Sequence, residues 1–224
     1  MRRDVVTSII GMVVFTLLLG VVYPFAITGI SQVAFPGNAN GQKLYLKGRL
    51  IGSRIIGQQF ATLKMHNGKV VQEKGVPLTE QDPRYFQSRP SATKPPYNAA
   101  ESSFSNLGPN STVTERAIAE NIKAYLEMER PYLPTLTAAQ VPVDAATASA
   151  SGLDPEISQA NARIQAHRIA AVRHLPLSTV DALIANYTSS RGLGFSGEPG
   201  VNVLQLNLAL DRLTGGTGGT GGGD

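Results

Sequence analysis

Apolar residues run almost without interruption from Val5 to Ile30, and no charged residue stands between Asp4 and Lys43. A helix crossing a bilayer needs about 20 predominantly apolar residues. The segment VVTSIIGMVVFTLLLGVVYPFAITGI therefore predicts a transmembrane helix. A cleaved signal peptide is the competing reading, kept open by Gly29 and Ser31, but its apolar region runs only about 7–15 residues. Pro24 falls near the end of the segment, where a kink or an exit turn is tolerated.

Beyond the span the pattern shortens. KLYLKGRLIGSRIIGQQF has short apolar runs punctuated by Gly, and MHNGKVVQ carries an Asn-Gly hairpin signal, so this region predicts a small antiparallel sheet. From Ser88 to Thr112, Pro, Ser, Asn and Gly dominate. A stretch that long without an element of its own is usually functional or disordered. The aromatic and basic residues in and beside it (Tyr85, Phe86, Arg89, Tyr97, Phe104) favour an ordered loop.

Three helices are predicted next. Thr112 with Glu115 has capping-box spacing, and Arg130 before Pro131 marks the end of the helix so begun. The Pro-spaced PYLPTLTAAQVPVDA reads as a linker into AATASASGLDPEIS, where Asp154 fits an N-cap, Pro155 the first helical position and Glu156 the first turn. On the helix that follows, Ile157, Ala160, Ile164, Ala171 and Leu175 share one stripe at helical spacing, and Asn161 and Arg168 project onto it. A core-facing Arg needs a partner. Arg168 is either paired inside the domain, the default, or faces another subunit. Ser178 and Asp181 offer a capping pair for a third helix. The last element, VNVLQLNLALDRL, alternates like a strand, but Asn202 with Gln205 favours a helix start.

These patterns predict an α+β chain: one N-terminal transmembrane helix followed by a small mixed α/β extracytoplasmic domain. The divisions are an anchor over 1–35, a soluble domain over 36–214 and a flexible, low-complexity Gly-rich tail over 215–224. Orientation leans towards a cytoplasmic N-terminus, because Arg2 and Arg3 precede the span and a long following domain translocates largely regardless of its charge.

Composition narrows the chemistry. There is no Cys, which excludes disulfides, thiolate catalysis and zinc-thiolate sites, and the net charge of +4 is too modest to point to nucleic acid. No acidic residue occurs from Val5 to Gln72, whereas Lys43, Lys47, Arg49, Arg54, Lys64 and Lys69 follow the span. That is either a basic surface meeting lipid headgroups or an acidic partner, or a solvated strand face. GLGFSG (192–197) matches G-x-G-x-x-G but lacks the strand-turn-helix setting of a dinucleotide site and reads as a turn. No P-loop, Asp-Lys-Thr-Gly phosphorylation motif, H-E-x-x-H or G-x-S-x-G is present. No catalytic, metal or intrinsic cofactor site is expected. AATASASGLDPEIS raises one question, whether its helix start holds a phosphate or caps itself, and its own carboxylates favour self-capping.

An N-terminal span together with YFQSRPSAT, YN…SNLGPNS, ASGLDPEIS, QAHRIAAVR and GEPGVNVLQLNLALD, in that order, resembles the C subunit of the Kdp potassium-transporting ATPase. The departures are Ser102-Ser103-Phe104 where the family usually has Ser-Gly-Gly, Ala150 for a common Gly, and Glu156 for a His. The resemblance implies a non-catalytic accessory subunit of an ATP-driven potassium importer in the bacterial inner membrane. Its partners would be a channel-like potassium-translocating subunit, a P-type ATPase subunit, a short single-span subunit and membrane lipid. It also implies a catalytic-chaperone role that raises the ATP affinity of the hydrolysing subunit, ATP being bound through that subunit. A domain outside the membrane cannot itself touch cytoplasmic ATP, so assembly, or a cap over the potassium entrance, fits the outside orientation better. Phe86, Arg89, Ser91, Asn106, Gly108 and Arg168 are the candidate interface or loop-ordering residues. The alternative is a membrane-anchored extracytoplasmic binding domain or hydrolase acting alone.

Overall fold

The computed structural model describes residues 1–73, 76–192 and 194–215. The Gly-rich tail lies outside these from 216 onward. The chain forms two compact units, Met1–Ser53 and the part from Arg54 onward.

In the first unit, α1 (Arg2–Leu17), a π-helical turn (Leu18–Val22) and α2 (Tyr23–Ala34) form one 33-residue apolar helix, none of whose residues is buried. The π turn has a local cause. Pro24 has no N–H and its ring crowds the carbonyl four residues back, so the backbone widens and the Tyr23 N–H reaches Leu18 O instead. A short α3 (Pro36–Ala39) reverses the chain into the antiparallel hairpin of β1 (Lys43–Leu46) and β2 (Arg49–Ser53). Its turn sits at Lys47 and Gly48, both at positive φ.

The second unit opens with paired short strands rather than one sheet: β3 (Ala61–Leu63), β4 (Met65–His66), β5 (Lys69–Val70), β6 (Gln72–Glu73), β7 (Val76–Pro77) and β8 (Thr79–Gln81). The pairs β3–β8, β4–β5 and β6–β7 are all antiparallel. The Asn67-Gly68 turn predicted for this region joins β4 to β5. Then come α4 (Thr112–Glu129), α5 (Val143–Ala146), β9 (Glu156–Ser158), α6 (Gln159–Arg173), α7 (Leu177–Asn186), β10 (Gly200–Asn202) and α8 (Val203–Leu213). The core gathers Ile157, Ala162, Ala166, Ile169, Val180, Ile184, Val201, Leu206 and Leu210 from α6, α7, α8 and the β9–β10 pair, with Phe86 from the segment after β8. The α+β class expected from the sequence is the one observed.

Several helix starts differ from expectation. The helix expected from Asp154 begins at Gln159, because Glu156–Ser158 is held extended by pairing with Gly200–Asn202. Asp154 instead closes a turn, its Oδ1 accepting the Glu156 N–H at 3.0 Å, and Ser158 is the N-cap, accepting from the Asn161 N–H. The α4 cap is Ser111, with no side-chain cap bond, so Thr112 and Glu115 form no capping box. Ser178 lies inside α7, which starts after Pro176 without a side-chain cap. The buried face of α6 is also rotated from the predicted stripe. Ala160 and Ala171 are exposed, whereas Ala162, Ala166 and Ile169 are buried beside Asn161, Gln165 and Arg168. Polar side chains can occupy that face because each is hydrogen-bonded there. The helix favoured for VNVLQLNLALDRL is present, with Asn202 Oδ1 accepting from the Gln205 N–H. The Pro-spaced linker packs into the domain through Leu136 and Ala145.

Candidate functional site

The residues following β8 form the centre of the second unit's polar interior. Asp82 starts a turn by accepting from the Arg84 backbone N–H at 2.9 Å and from its guanidinium at 2.6 Å. Burial raises the Asp82 carboxyl, but the Arg84 bonds together outweigh it and hold it below its ordinary value. Phe86 and Gln87 then follow in no strand pairing among the described residues. Side-chain amides take a strand's place. Asn207 on α8 accepts from the Phe86 N–H and donates to its carbonyl, both at 2.9 Å, and Gln165 on α6 does the same for Gln87 at 2.7 and 3.0 Å. Buried backbone groups must find partners, and two amides at the right helical positions supply them. The Phe86 ring is thereby fixed, fully buried, in the core.

Arg168 ties this segment to two helices. Its Nη1 donates to Pro83 O and Tyr85 O, its Nη2 to Gln165 Oε1, and its Nε to Glu129 Oε1 at 2.9 Å. Both charges are buried, at 0% and 1% side-chain exposure. Burial pushes the Glu129 carboxyl up, and Arg168 pulls it partly back. Tyr125, one turn earlier on α4, donates to Asn161 Oδ1, and burial raises its phenol too.

Arg89 and Ser91 order the next loop. Arg89 Nη1 pairs with Asp154 Oδ2 at 3.0 Å, and its carbonyl accepts from the Tyr97 hydroxyl. Ser91 Oγ donates to Gly152 O at 2.7 Å and accepts from the Tyr97 N–H. Gly152 sits at φ +70°, where a Cβ would lie 2.7 Å from both Ser103 O and Thr93 Cγ2. Only glycine fits that approach. The YFQSRPSAT and ASGLDPEIS motifs are thus two sides of one joint.

A cleft of about 280 Å³ opens beside this joint, lined among others by Gln58, Gln87, Arg89, Tyr97, Tyr125 and Glu129. Arg89 Nε and Glu129 Oε2 are buried next to it without hydrogen-bond partners among the described residues. Its amides, phenols and one compensated ion pair suit hydrogen bonding rather than covalent chemistry. Among the described residues no cluster of three or more His, Asp or Glu could hold a metal. Leu193 of GLGFSG lies outside the described residues; Gly192 and Ser196 form an isolated antiparallel bridge, and the described residues of the motif open no helix.

Of the six candidates, Phe86, Arg89, Ser91 and Arg168 fall in this one network, and Arg168 takes the internal pairing. Asn106 and Gly108 do not join it. They lie on the exposed loop that also presents Phe104 and Leu107, with Asn106 at φ +54°. Glu129, Gln165 and Asn207 were not foreseen. The available signal was an uncharged amide or carboxylate on an otherwise apolar helix face.

The family described as "KdpC: K+-transporting ATPase, c chain" matches residues 5–212. The chain belongs to the KdpC family. A Mycobacterium tuberculosis (strain H37Rv) protein named "Potassium-transporting ATPase KdpC subunit" is 45% identical over 213 residues, covering 95% of this chain and all of that protein. Proteins with the same name from Herpetosiphon aurantiacus and Methylococcus capsulatus are 44% and 45% identical, covering 95% and 92% of this chain and 98% and 96% of their own lengths. The family is that of an accessory chain of the transporter, and the N-terminal apolar helix fits a single-pass membrane protein.

Proposed function

We propose that this chain is a non-catalytic subunit of an ATP-driven potassium importer in the bacterial inner membrane, with its N-terminus in the cytoplasm and the unit from Arg54 onward outside. It works by stabilising the assembly. Its partners are a channel-like potassium-translocating subunit, a P-type ATPase subunit and a short single-span subunit, with lipid around the span. Any rise in the ATP affinity of the hydrolysing subunit is transmitted through protein contacts, not through ATP held on this chain.

The observation that carries this reading is the state of the helix start at the end of AATASASGLDPEIS. A phosphate needs free amides there. The Ser158 N–H instead donates to Asp144 Oδ2 at 2.8 Å, and the Asn161 N–H to Ser158 Oγ at 3.1 Å. The Asn161 amide also donates to Asp144 at 2.9 Å. A carboxylate already occupies the anion position and would repel a second one. This is self-capping, with Ser158 and Asp144 in the roles the sequence suggested for Asp154 and Glu156.

The test exploits the absence of Cys. Ser178 is exposed on α7, so Ser178→Cys in intact cells should react with a membrane-impermeant maleimide as fully as in lysed cells. Labelling only after lysis would place the domain in the cytoplasm and overturn the reading.

A further inference from the structure

The hairpin that follows the span has basic side chains with nothing in its own unit to neutralise them. Within Met1–Ser53 the only acidic residue is Asp4, at the opposite end of the 33-residue helix. Lys43, Lys47 and Arg49 are exposed, and none forms an ion pair among the described residues. Tyr45 and Leu50 stand directly opposite each other across the hairpin, at 59% and 53% exposure. Because side chains alternate along a strand, Lys43 shares the Tyr45 face. One face therefore presents an aromatic and an aliphatic side chain beside a lysine, with Lys47 at the tip.

This face is tethered close to the bilayer. Asn40 donates to Gln32 Oε1 at 3.0 Å and to Pro36 O at 2.7 Å, folding the turn back onto the end of α2. The Ser53 hydroxyl donates to Gly41 O at 2.7 Å and closes the base of the hairpin. Lys43 follows the last residue of the helix by nine positions, four of them in α3. Basic side chains beside an apolar span attract anionic headgroups, and tyrosine prefers the headgroup level because its ring is apolar and its hydroxyl is not.

We propose that the β1–β2 hairpin is a headgroup-binding clamp for anionic phospholipid, with Lys43 and Lys47 meeting phosphates and Tyr45 and Leu50 entering the interface; Arg49, paired with Leu46, points to the other face. The proposal rests on the reading of the chain as membrane-anchored. Phospholipid is chosen over an acidic protein segment because the span delivers the hairpin to the bilayer surface whichever partner is present.

The chain has no Trp, so Tyr45→Trp in the full chain gives a single tryptophan, excited selectively over the remaining tyrosines, at the proposed contact. The protein is reconstituted into vesicles of phosphatidylcholine, with or without phosphatidylglycerol, carrying bromine near the top of the acyl chains. Two surface cations together favour the docked hairpin in anionic vesicles by on the order of 30-fold. The expected result is strong quenching and a blue-shifted emission with phosphatidylglycerol, both weakened by high salt and abolished by adding K43Q and K47Q. The salt series keeps the test decisive if the double substitution disturbs the hairpin. Equal quenching in both vesicle types, quenching indifferent to salt, or shielding of Trp that depends only on added partner subunits would overturn the clamp. Failure of the chain to float with either vesicle type would instead overturn the membrane anchor.

Discussion

Replacing Arg168 with Met separates an internal structural role from an interface role. The substitution keeps much of the aliphatic length but removes a charge that is fully buried and donates to Glu129, Gln165, Pro83 O and Tyr85 O. Losing one partner of a buried pair leaves the other charge uncompensated and costs about 3–5 kcal/mol. For a chain of this size, roughly 2–4 °C of melting temperature per kcal/mol gives a loss of about 6–20 °C. The penalty should also depend on pH. Burial already raises Glu129 above its ordinary 4.5, and without Arg168 it rises further. A carboxyl raised in the folded state contributes most below its unfolded pKa, and that contribution is lost as pH rises through the folded value. Arg168→Met should therefore be less destabilised at pH 5 than at pH 8. Adding Glu129→Gln should recover part of the loss, a coupling of about 0.5–3 kcal/mol. The assay is thermal unfolding of the full chain in detergent, followed by circular dichroism across that pH range. A loss under about 1 kcal/mol, or one independent of pH and of Glu129, would refute the internal-hub reasoning.

Other expectations follow from the same geometry. Ser158→Ala should cost about 1 kcal/mol by melting, whereas Thr112→Ala, at a position that caps nothing, should stay within about 0.5 kcal/mol. Asp82 is held below its ordinary 3.8, so its contribution is present above that pH and is lost as pH falls through the folded value. With its partner Arg84 largely exposed, Asp82→Asn should cost about 1 kcal/mol at neutral pH, and the two proteins should converge below pH 3.8. Gly152→Ala should cost about 2 kcal/mol or more, from the left-handed backbone and from the contact with Ser103 O. A melting temperature unchanged from the parent would show that the joint between the two motifs is loose.

Much of the fold was legible where a single local signal decided it. The uncharged stretch from Val5 to Ile30 could only be an apolar helix, and Asn67-Gly68 could hardly be anything but a hairpin turn. Legibility failed where two signals competed. Asp154-Pro155-Glu156 has good helix-start chemistry, but pairing of Glu156–Ser158 with Gly200–Asn202, about 44 residues away, draws those residues into a strand. A one-dimensional window does not contain that partner. The buried face of α6 was misread for a related reason. The predicted stripe included Asn161 but passed over Gln165, and the burial of both depends on Tyr125 and Gln87 reaching them from elsewhere in the chain. The candidate site was half legible. Arg168 stood out because charge on an apolar stripe demands a partner, but Glu129 sits on α4, 39 residues earlier, and nothing local announces it. The motif residues Arg89 and Ser91 were noticeable, whereas their attachment to Asp154 and Gly152 is a matter of tertiary structure.

The central claim, that this chain works as a subunit and not alone, is tested most directly by affinity purification of the tagged full chain from a mild detergent extract of its own membranes. The account predicts that a large channel-like subunit and a P-type ATPase subunit co-elute in fixed proportion, and that potassium-stimulated ATP hydrolysis appears in that fraction. Elution of the chain by itself, with the larger subunits assembling and hydrolysing ATP at full rate without it, would contradict the account.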